Sequence, residues 1–426
     1  MRFLIFTQHF PPETVATGRR ALDLAEHLAE RGHQVTVIAG RPNHPSSLNQ
    51  PFCRAALTTE TASAGYRIVR VPAFRSANPR TLHRFLTYGT FALSAAWAGL
   101  RQKPPDVILA VSPLPTGLAA LLVHWGRRAP LVFDLQDIWP DSARAVGVMQ
   151  PSVLLRLLRR LERFFYRRCA LIVGTSEGFR QYLLKLGVRP ERVTVIHNGV
   201  NWRMFAGAEA DKEFRREHRL GSDFVVGYAG NIGLAQGLGT LLDAAEVLRN
   251  EPVKFLLVGE GTDKHRVVKL ARIHGLENLR FLEGVTRDRV ASVLAACDAL
   301  LLILRKDPLF EITIPSKIYE YMAAGKPVIC SVGGEAAALV AASQCGLPAA
   351  PSDAADLART VQRLRENPDG CRRMGTHGAR AARERYSRRR LMADYAALAE
   401  SLAPAGAGTV TPFPLPIPKS ASPGKP

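Results

Sequence analysis

In "TIPSKIYEYMAAGKPVICS", residues 313–331, Lys317 and Glu320 stand three residues apart in a helical pattern whose other members, Ile318, Tyr319, Tyr321, Met322 and Ala323, are apolar or aromatic. A carboxylate in such company needs a partner. One chemistry satisfies both charges: a carboxylate accepts both hydroxyls of a ribose, and an ammonium on the same helical face neutralises phosphate, so a nucleoside diphosphate fits the pair. The alternative is an i,i+3 ion pair on an exposed face. A second stretch, "YAGNIGLAQGLGTLLDAA", sets Gly230, Gly233 and Gly237 between a strand and a helix. Glycines there let phosphate approach backbone N–H groups at a helix start, although the same loop also serves as a plain tight turn. "VGEG", 258–261, is a further glycine turn of that kind.

On the N-terminal side, Asp137 and Asp141 in "DLQDIWPDS" follow a strand end. Asp137 reads as a group that orients an acceptor or takes its proton; Asp141 reads as a helix cap. His9 and His197 also end strands, and each fits a structural role as readily as a catalytic one. No paired-aspartate element of the D-x-D kind stands at a suitable strand end, so no metal site is expected.

The elements that must position these residues alternate in period. In the first half "RFLIFT", "QVTVIA", "DVILAV", "LVFDL", "LIVGTS" and "VTVIH" are separated by helical patterns, and "FVVGYAG", "KFLLVGEG", "LRFLEG", "ALLLIL" and "PVICS" repeat the scheme in the second. Such alternation implies parallel βαβ winding, here in two doubly wound domains. The expected boundaries are 1–200, 201–385, a C-terminal helix over 386–402, and a disordered Pro-rich tail over 403–426. Open parallel sheets take ligands beyond the carboxyl ends of their strands, so the chemistry is expected in the cleft between the domains.

Composition narrows the partners. With 57 Lys+Arg against 37 Asp+Glu in 426 residues, the chain carries +20 and should attract polyanions: nucleic acid, an acidic membrane surface or phosphorylated small molecules. Six irregularly spaced cysteines form no CxxC element, which points to a reducing cytosol. The first apolar stretch is too short for a signal peptide, and "FLTYGTFALSAAWAGL" falls short of the roughly 20 residues that span a bilayer. The expected location is cytoplasmic, peripheral on the inner face of the plasma membrane. "SVLLRLLRRLERFFYRRCA", 152–170, interleaves Arg156, Arg159, Arg160, Arg163 and Arg167 with leucines and aromatics, a pattern that fits either an anionic membrane interface or an ordinary domain helix with a solvated basic face. The helix around 85–100, flanked by Arg80, Arg84, Arg101 and Lys103, offers a second apolar surface.

Taken in order, "VIHNGVNWRMF", "GYAGNIGLAQGLGTLLDAA", "FLLVGEGTDK", "LRFLEGVTRDRVASVLAACDALLL" and "PSKIYEYMAAGKPVI" resemble the nucleotide-binding half of retaining glycosyltransferases of family 4, which have the GT-B fold. "FTQHFPPETVATGRRALDLAEHLAERGHQVTVIAG" and "FDLQDIWPDSA" resemble the WbuB-like N-acetyl-L-fucosamine transferase branch. The resemblance implies a donor site built from Gly18, Arg19, Gly230, Asn231, Gln236, Gly259, Val285, Ser316 and Glu320, with Lys317, Asp137 and Glu311 in catalytic positions. Glu320 matches the second glutamate of the family's E-x7-E element and so the ribose ligand, whereas the first glutamate falls on Ile312, with Glu311 one residue away. Many members carry Arg and Lys on the phosphate loop where this chain has Asn231 and Gln236, which leaves Lys317, assisted by Arg19, to balance the diphosphate.

These readings imply transfer of a sugar, N-acetylated amino or deoxy in type, from a nucleotide diphosphate donor, UDP-linked, to a lipid-linked or oligosaccharide acceptor, without a separate cofactor and without nucleic acid. A competing reading is a catalytically weak GT-B scaffold that recruits polysaccharide enzymes to the membrane. A nicotinamide-dependent dehydrogenase fits the winding but lacks G-x-G-x-x-G followed by an acidic residue about 20 positions later. A nucleic-acid binder fits the charge but lacks a recognition motif.

Overall fold

A computed structural model of the chain describes residues 1–13, 15–42, 58–62, 64–74, 81–147, 150, 152–207 and 212–403. The strands are β1 Arg2–Thr7, β2 Gln34–Gly40, β3 Thr58–Thr61, β4 Arg67–Val71, β5 Val107–Val111, β6 Leu131–Leu135, β7 Leu171–Gly174 and β8 Val193–Val195, then β9 Phe224–Ala229, β10 Val253–Val258, β11 Leu279–Leu282, β12 Ala299–Ile303, β13 Val328–Ser331 and β14 Gly346–Pro348. The helices are α1 Ala16–Glu30, α2 Thr81–Leu100, α3 Leu114–Arg127, α4 Asp141–Ala145, α5 Val153–Tyr166, α6 Glu177–Lys185, α7 Lys212–Glu217, α8 Gly239–Val247, α9 Lys264–Ile273, α10 Arg287–Ala295, α11 Pro308–Glu311, α12 Lys317–Ala323, α13 Gly334–Ala342, α14 Ala354–Arg365, α15 Pro368–Glu384 and α16 Arg388–Glu400.

The first eight strands form one sheet in the order β3-β4-β2-β1-β5-β6-β7-β8, and the last six form another in the order β11-β10-β9-β12-β13-β14. Strands such as β5, "VILAV", and β12, "ALLLI", are buried at every position because helices cover both faces, and continuous apolar runs are what a parallel sheet requires. Sequence periodicity passed over β3, β4 and β14. β3 is "TTET", wholly exposed, and pairs antiparallel to β4 at the sheet edge, while β14 is three residues long, so neither carries an apolar run to betray it.

One face of the N-terminal sheet packs against α2, α3, α5 and α6, and the other against α1 and α16. The end of the chain therefore returns to the first domain. Glu400 accepts from Arg31 at 2.6 Å and lies 2.7 Å from His33, and Arg388 lies 3.3 Å from Asp23. The expected tail falls outside the described residues from 404 onward, as does Arg80; of the Arg84 side chain nothing is described. Among the described residues no helix is long and apolar enough to cross a membrane.

One sequence expectation is corrected here, and one reading left open is narrowed. Asp141 does not cap α4: Pro140 is the N-cap residue, no side-chain cap bond forms, and the Asp141 carboxylate instead accepts from Arg159 and lies 3.5 Å from Arg144. α5 is a domain helix first, since Leu155, Leu158, Phe165 and Tyr166 are buried and Arg159 is held by Asp141.

Candidate active site

In the C-terminal sheet the chain runs outward in one direction from β9 through β10 and β11 and in the other from β12 through β13 and β14, so the crevice opens at the carboxyl ends of β9 and β12. β9 ends in Tyr228 and Ala229 ahead of Gly230; β12 ends just before Leu304 and Arg305. α12 is tied to β9 at two points. Lys317 Nζ donates to Tyr228 Oη at 2.6 Å and sits 3.9 Å from the centre of its ring, and Ala229 N donates to Tyr321 Oη at 3.1 Å. Tyr228 Oη in turn donates to the Asn231 carbonyl at 2.5 Å, which fixes the start of the glycine loop.

The glycines allow this crowding. At Gly230, φ +139°, a Cβ would lie 2.9 Å from Lys317 Nζ, and at Gly259, φ +148°, it would lie 1.9 Å from the Gly230 carbonyl oxygen. Only glycine fits either position, and together they stack two strand-end loops over the ammonium. Burial pushes the Lys317 ammonium down to about 7, with Glu320 pulling weakly the other way. No ion pair joins Lys317 to Glu320, and among the described residues neither has an ion-pair partner. The exposed i,i+3 pair is therefore not what α12 forms: an ammonium and a carboxylate are both left for a ligand.

The loop's neutral amides behave differently from each other. Gln236 is held to its own loop through its oxygen, Oε1 accepting from Gly233 N at 3.0 Å, while Asn231 is exposed. The cation missing from this loop arrives from β12. Arg305 N donates to the Ala235 carbonyl at 2.9 Å, and the Arg305 side chain runs along Gly237, where a Cβ would lie 2.7 Å from its Cγ. Arg305 is exposed and has no ion-pair partner among the described residues. Sequence reasoning missed Arg305, Tyr228 and Tyr321 because each is set beside the loop by strand order, and no spacing signals it.

The opposite wall comes from the first domain. Ser176 Oγ donates to the Ile312 carbonyl at 2.6 Å, the Glu335 carboxylate accepts from Glu177 N at 2.9 Å and from Gly178 N, and Arg144 lies 3.6 Å from Asp307, the N-cap of α11. Position 312 is thus committed to the domain interface, since a Cβ at Gly178 would lie 2.5 Å from Ile312 Cβ. Glu311 is exposed on the adjoining rim, its carbonyl against Gly334, φ +61°, where a Cβ would lie 1.9 Å away. Asp137 accepts from Ser142 Oγ at 2.9 Å. Desolvation raises its carboxyl above the ordinary range, with the Ser142 bond pulling the other way.

Other candidates are occupied elsewhere. Arg19 pairs with Asp23 at 2.7 Å along α1. Gly18 lets α1 start against the His9 carbonyl, 2.9 Å from where its Cβ would be, and His9 Nδ1 lies 3.1 Å from Glu13. His197 is kept neutral by burial, bonds the Thr175 carbonyl through Nδ1 at 2.9 Å, and packs on Tyr319 and Tyr386, a structural position between the domains. Val285 is half-buried against the second domain's core, and Ser316 precedes α12 without a side-chain cap bond. Among the described residues no group of three or more His, Cys, Asp or Glu is arranged to hold a metal.

Comparison with known proteins agrees with this fold. The family described as "Glycosyl transferase 4-like domain" matches residues 16–199 and the one described as "Glycosyl transferases group 1" matches residues 210–381. The chain is 27% identical over 337 residues to the putative colanic acid biosynthesis glycosyl transferase WcaI of Escherichia coli K12, covering 76% of this chain and 82% of the relative. It is 27% identical to the probable glycosyltransferase WbjE of Pseudomonas aeruginosa, covering 68% and 74%. Among solved structures, Anabaena HepE in complex with UDP and glucose superposes with a TM-score of 0.71 at 18% identity, covering 94% of this chain and 100% of that one. Sucrose-phosphate synthase from Thermosynechococcus elongatus superposes with a TM-score of 0.77 at 18% identity, covering 94% and 99%. With its two doubly wound domains in the GT-B arrangement, the chain belongs to the glycosyltransferases that join a glycosyl transferase 4-like domain to a group 1 domain.

Proposed function

We propose that this glycosyltransferase moves an N-acetylated amino or deoxy sugar from a UDP-linked donor to a lipid-linked or saccharide acceptor in bacterial surface polysaccharide assembly, with retention at the anomeric carbon. The observation that carries the reading is the Lys317 ammonium packed under Gly230 at the β9/β12 crevice without a carboxylate partner among the described residues. Glu320, one turn further along α12 and likewise unpaired, is assigned to the ribose hydroxyls. UDP as the carrier is supported by neighbours of the same fold bound to it, and surface polysaccharide by the colanic acid biosynthesis in the name of WcaI.

In the reaction the bond from the anomeric carbon to the diphosphate oxygen breaks while the acceptor oxygen bonds that carbon on the same face. Positive charge grows on the sugar ring and negative charge on the departing diphosphate, so groups that hold the leaving group accelerate the step. Lys317, Arg305 and the N–H groups of the 230–237 loop take that role. Asp137, whose raised pKa suits a proton acceptor, orients the acceptor hydroxyl and takes its proton. Glu311 stands on the rim to touch the sugar in place of the glutamate that Ile312 replaces.

Purified protein incubated with UDP-, GDP- and dTDP-sugars tests this, read first by the rise in melting temperature and then by product mass and anomeric configuration. A UDP-sugar should stabilise the fold and yield a product of retained configuration. Binding without turnover for any acceptor would favour the scaffold reading; an inverted product would overturn retention.

A further inference from the structure

On the face of the N-terminal sheet opposite α1 and α16, three helices turn apolar stripes to solvent. In α2, Leu86, Leu93, Trp97 and Leu100 are all exposed, Leu93 at 69% and Trp97 at 49%, and their spacing places them along one side of the helix. α3 adds exposed Leu122 and Trp125, and α5 adds Val153, Leu157 and Phe164, again on one side. The stripes adjoin. A Cβ at Gly126 would lie 3.0 Å from Leu100 Cδ2, and the Trp125 and Phe164 rings meet edge to face at 6.4 Å. A contiguous apolar surface of this kind marks an interaction site.

Charge says what kind of partner fits. α2 and α3 contain no Asp or Glu, and the single one in α5, Glu162, is buried. Around the carboxyl ends of the three helices stand exposed Arg101, Arg127, Arg128, Arg163, Arg167 and Arg168. Two of these guanidinium groups stack on the apolar stripe itself, Arg101 at 3.8 Å from the Trp97 ring centre and Arg168 at 4.7 Å from that of Phe164. Tryptophans beside arginines, with apolar neighbours and no exposed carboxylate, match a boundary where acyl chains meet anionic head groups.

We propose that the α2/α3/α5 face docks the protein on an anionic phospholipid surface, with Trp97 and Trp125 at head-group depth. The apolar side of α5 that does so is Val153, Leu157 and Phe164, since Leu155, Leu158 and Phe165 are taken by the core. This surface lies on the outer side of the sheet's helical layer and uses no residue assigned to the donor, so either reading can fail without the other.

The full chain should sediment with vesicles of phosphatidylcholine plus phosphatidylglycerol, stay in solution with phosphatidylcholine alone, and be released by salt. Brominated acyl chains should quench its tryptophan fluorescence. Two variants divide the contributions: Leu93→Ser/Trp97→Ser/Trp125→Ser/Leu157→Ser removes apolar contact, and Arg101→Gln/Arg160→Gln/Arg163→Gln/Arg168→Gln removes charge. Each should lower vesicle partitioning by about a hundredfold or more, with melting temperature and UDP-sugar affinity unchanged. If the apolar variant does not fold, the arginine variant, which touches no core residue, decides. Failure of the wild type to sediment with anionic vesicles, unchanged sedimentation of the folded variants, or a wild-type dimer that the apolar variant dissolves would each overturn the proposal.

Discussion

Lys317 Nζ lies 2.6 Å from Tyr228 Oη and 3.9 Å from the centre of the Tyr228 ring, so the ammonium is held by a hydroxyl and an aromatic face and its charge is left unneutralised. Burial lowers its pKa to about 7. The charged form thus prevails below that value and fades above it, and an anionic ligand that needs it binds more weakly as pH rises.

For the wild type, affinity for a UDP-sugar, whose diphosphate does not titrate near neutrality, should fall by up to about tenfold per pH unit above about pH 7. Lys317→Ala should flatten that dependence and lower turnover more than it lowers uridine binding. Calorimetry across pH checks both; a slope that survives in Lys317→Ala assigns the titration to another group.

Glu320→Gln keeps the size of the side chain and loses the charge that strengthens hydrogen bonds to ribose hydroxyls. UDP binding should weaken by about 1.5 to 3 kcal/mol with the fold intact. Equal affinity for UDP in variant and wild type, both well folded, would remove Glu320 from the ribose.

Arg305→Ala should weaken UDP-sugar binding by about ten- to a hundredfold, the range for a charge-assisted hydrogen bond, and leave uridine affinity nearly unmoved. Arg305→Lys should restore part of the loss because it restores the charge. Isothermal titration with the two ligands separates a diphosphate contact from a general loosening of the Gly237 turn, which would cost both equally.

Asp137→Asn should lower kcat with acceptor present while donor affinity holds, since Asp137 follows β6 of the first domain and the glycine loop belongs to the second. A change in UDP affinity as large as the change in kcat would place it on the donor instead.

Glu162 is fully buried between Tyr166 and Tyr182, whose hydroxyls donate to it at 2.8 and 3.1 Å, and burial raises its pKa to about 7. The folded state therefore holds a proton that the unfolded chain releases, so this group's contribution to stability falls as pH rises from about 4.5 to about 7, by at most about 3 kcal/mol. Glu162→Gln mimics the protonated side chain, and its melting temperature relative to wild type should rise between about pH 5 and about pH 8. A pH-independent difference would mean that Glu162 stays charged in the fold.

The alternation of apolar strands and helical patterns determined the two doubly wound domains, because a parallel strand covered on both faces needs a continuous apolar run and such runs are local. The order of motifs likewise gathered Gly230, Gly259, Lys317 and Glu320 on strand ends and one helix, as their spacing implies. Strand order lay beyond local signals. It set β12 beside β9 and so brought Arg305 to the loop where Gln236 Oε1 is bound to Gly233 N. It also decided α5, whose arginines and leucines fit a membrane helix and a domain helix equally well in sequence. Only packing against β6 and α3 selects which side is buried, leaving Val153, Leu157 and Phe164 outside and joining them to Trp97 and Trp125. Side-chain periodicity is written within one element, whereas the partner of each face is chosen by elements far apart in the chain, and that choice is where the charges of this site were assigned.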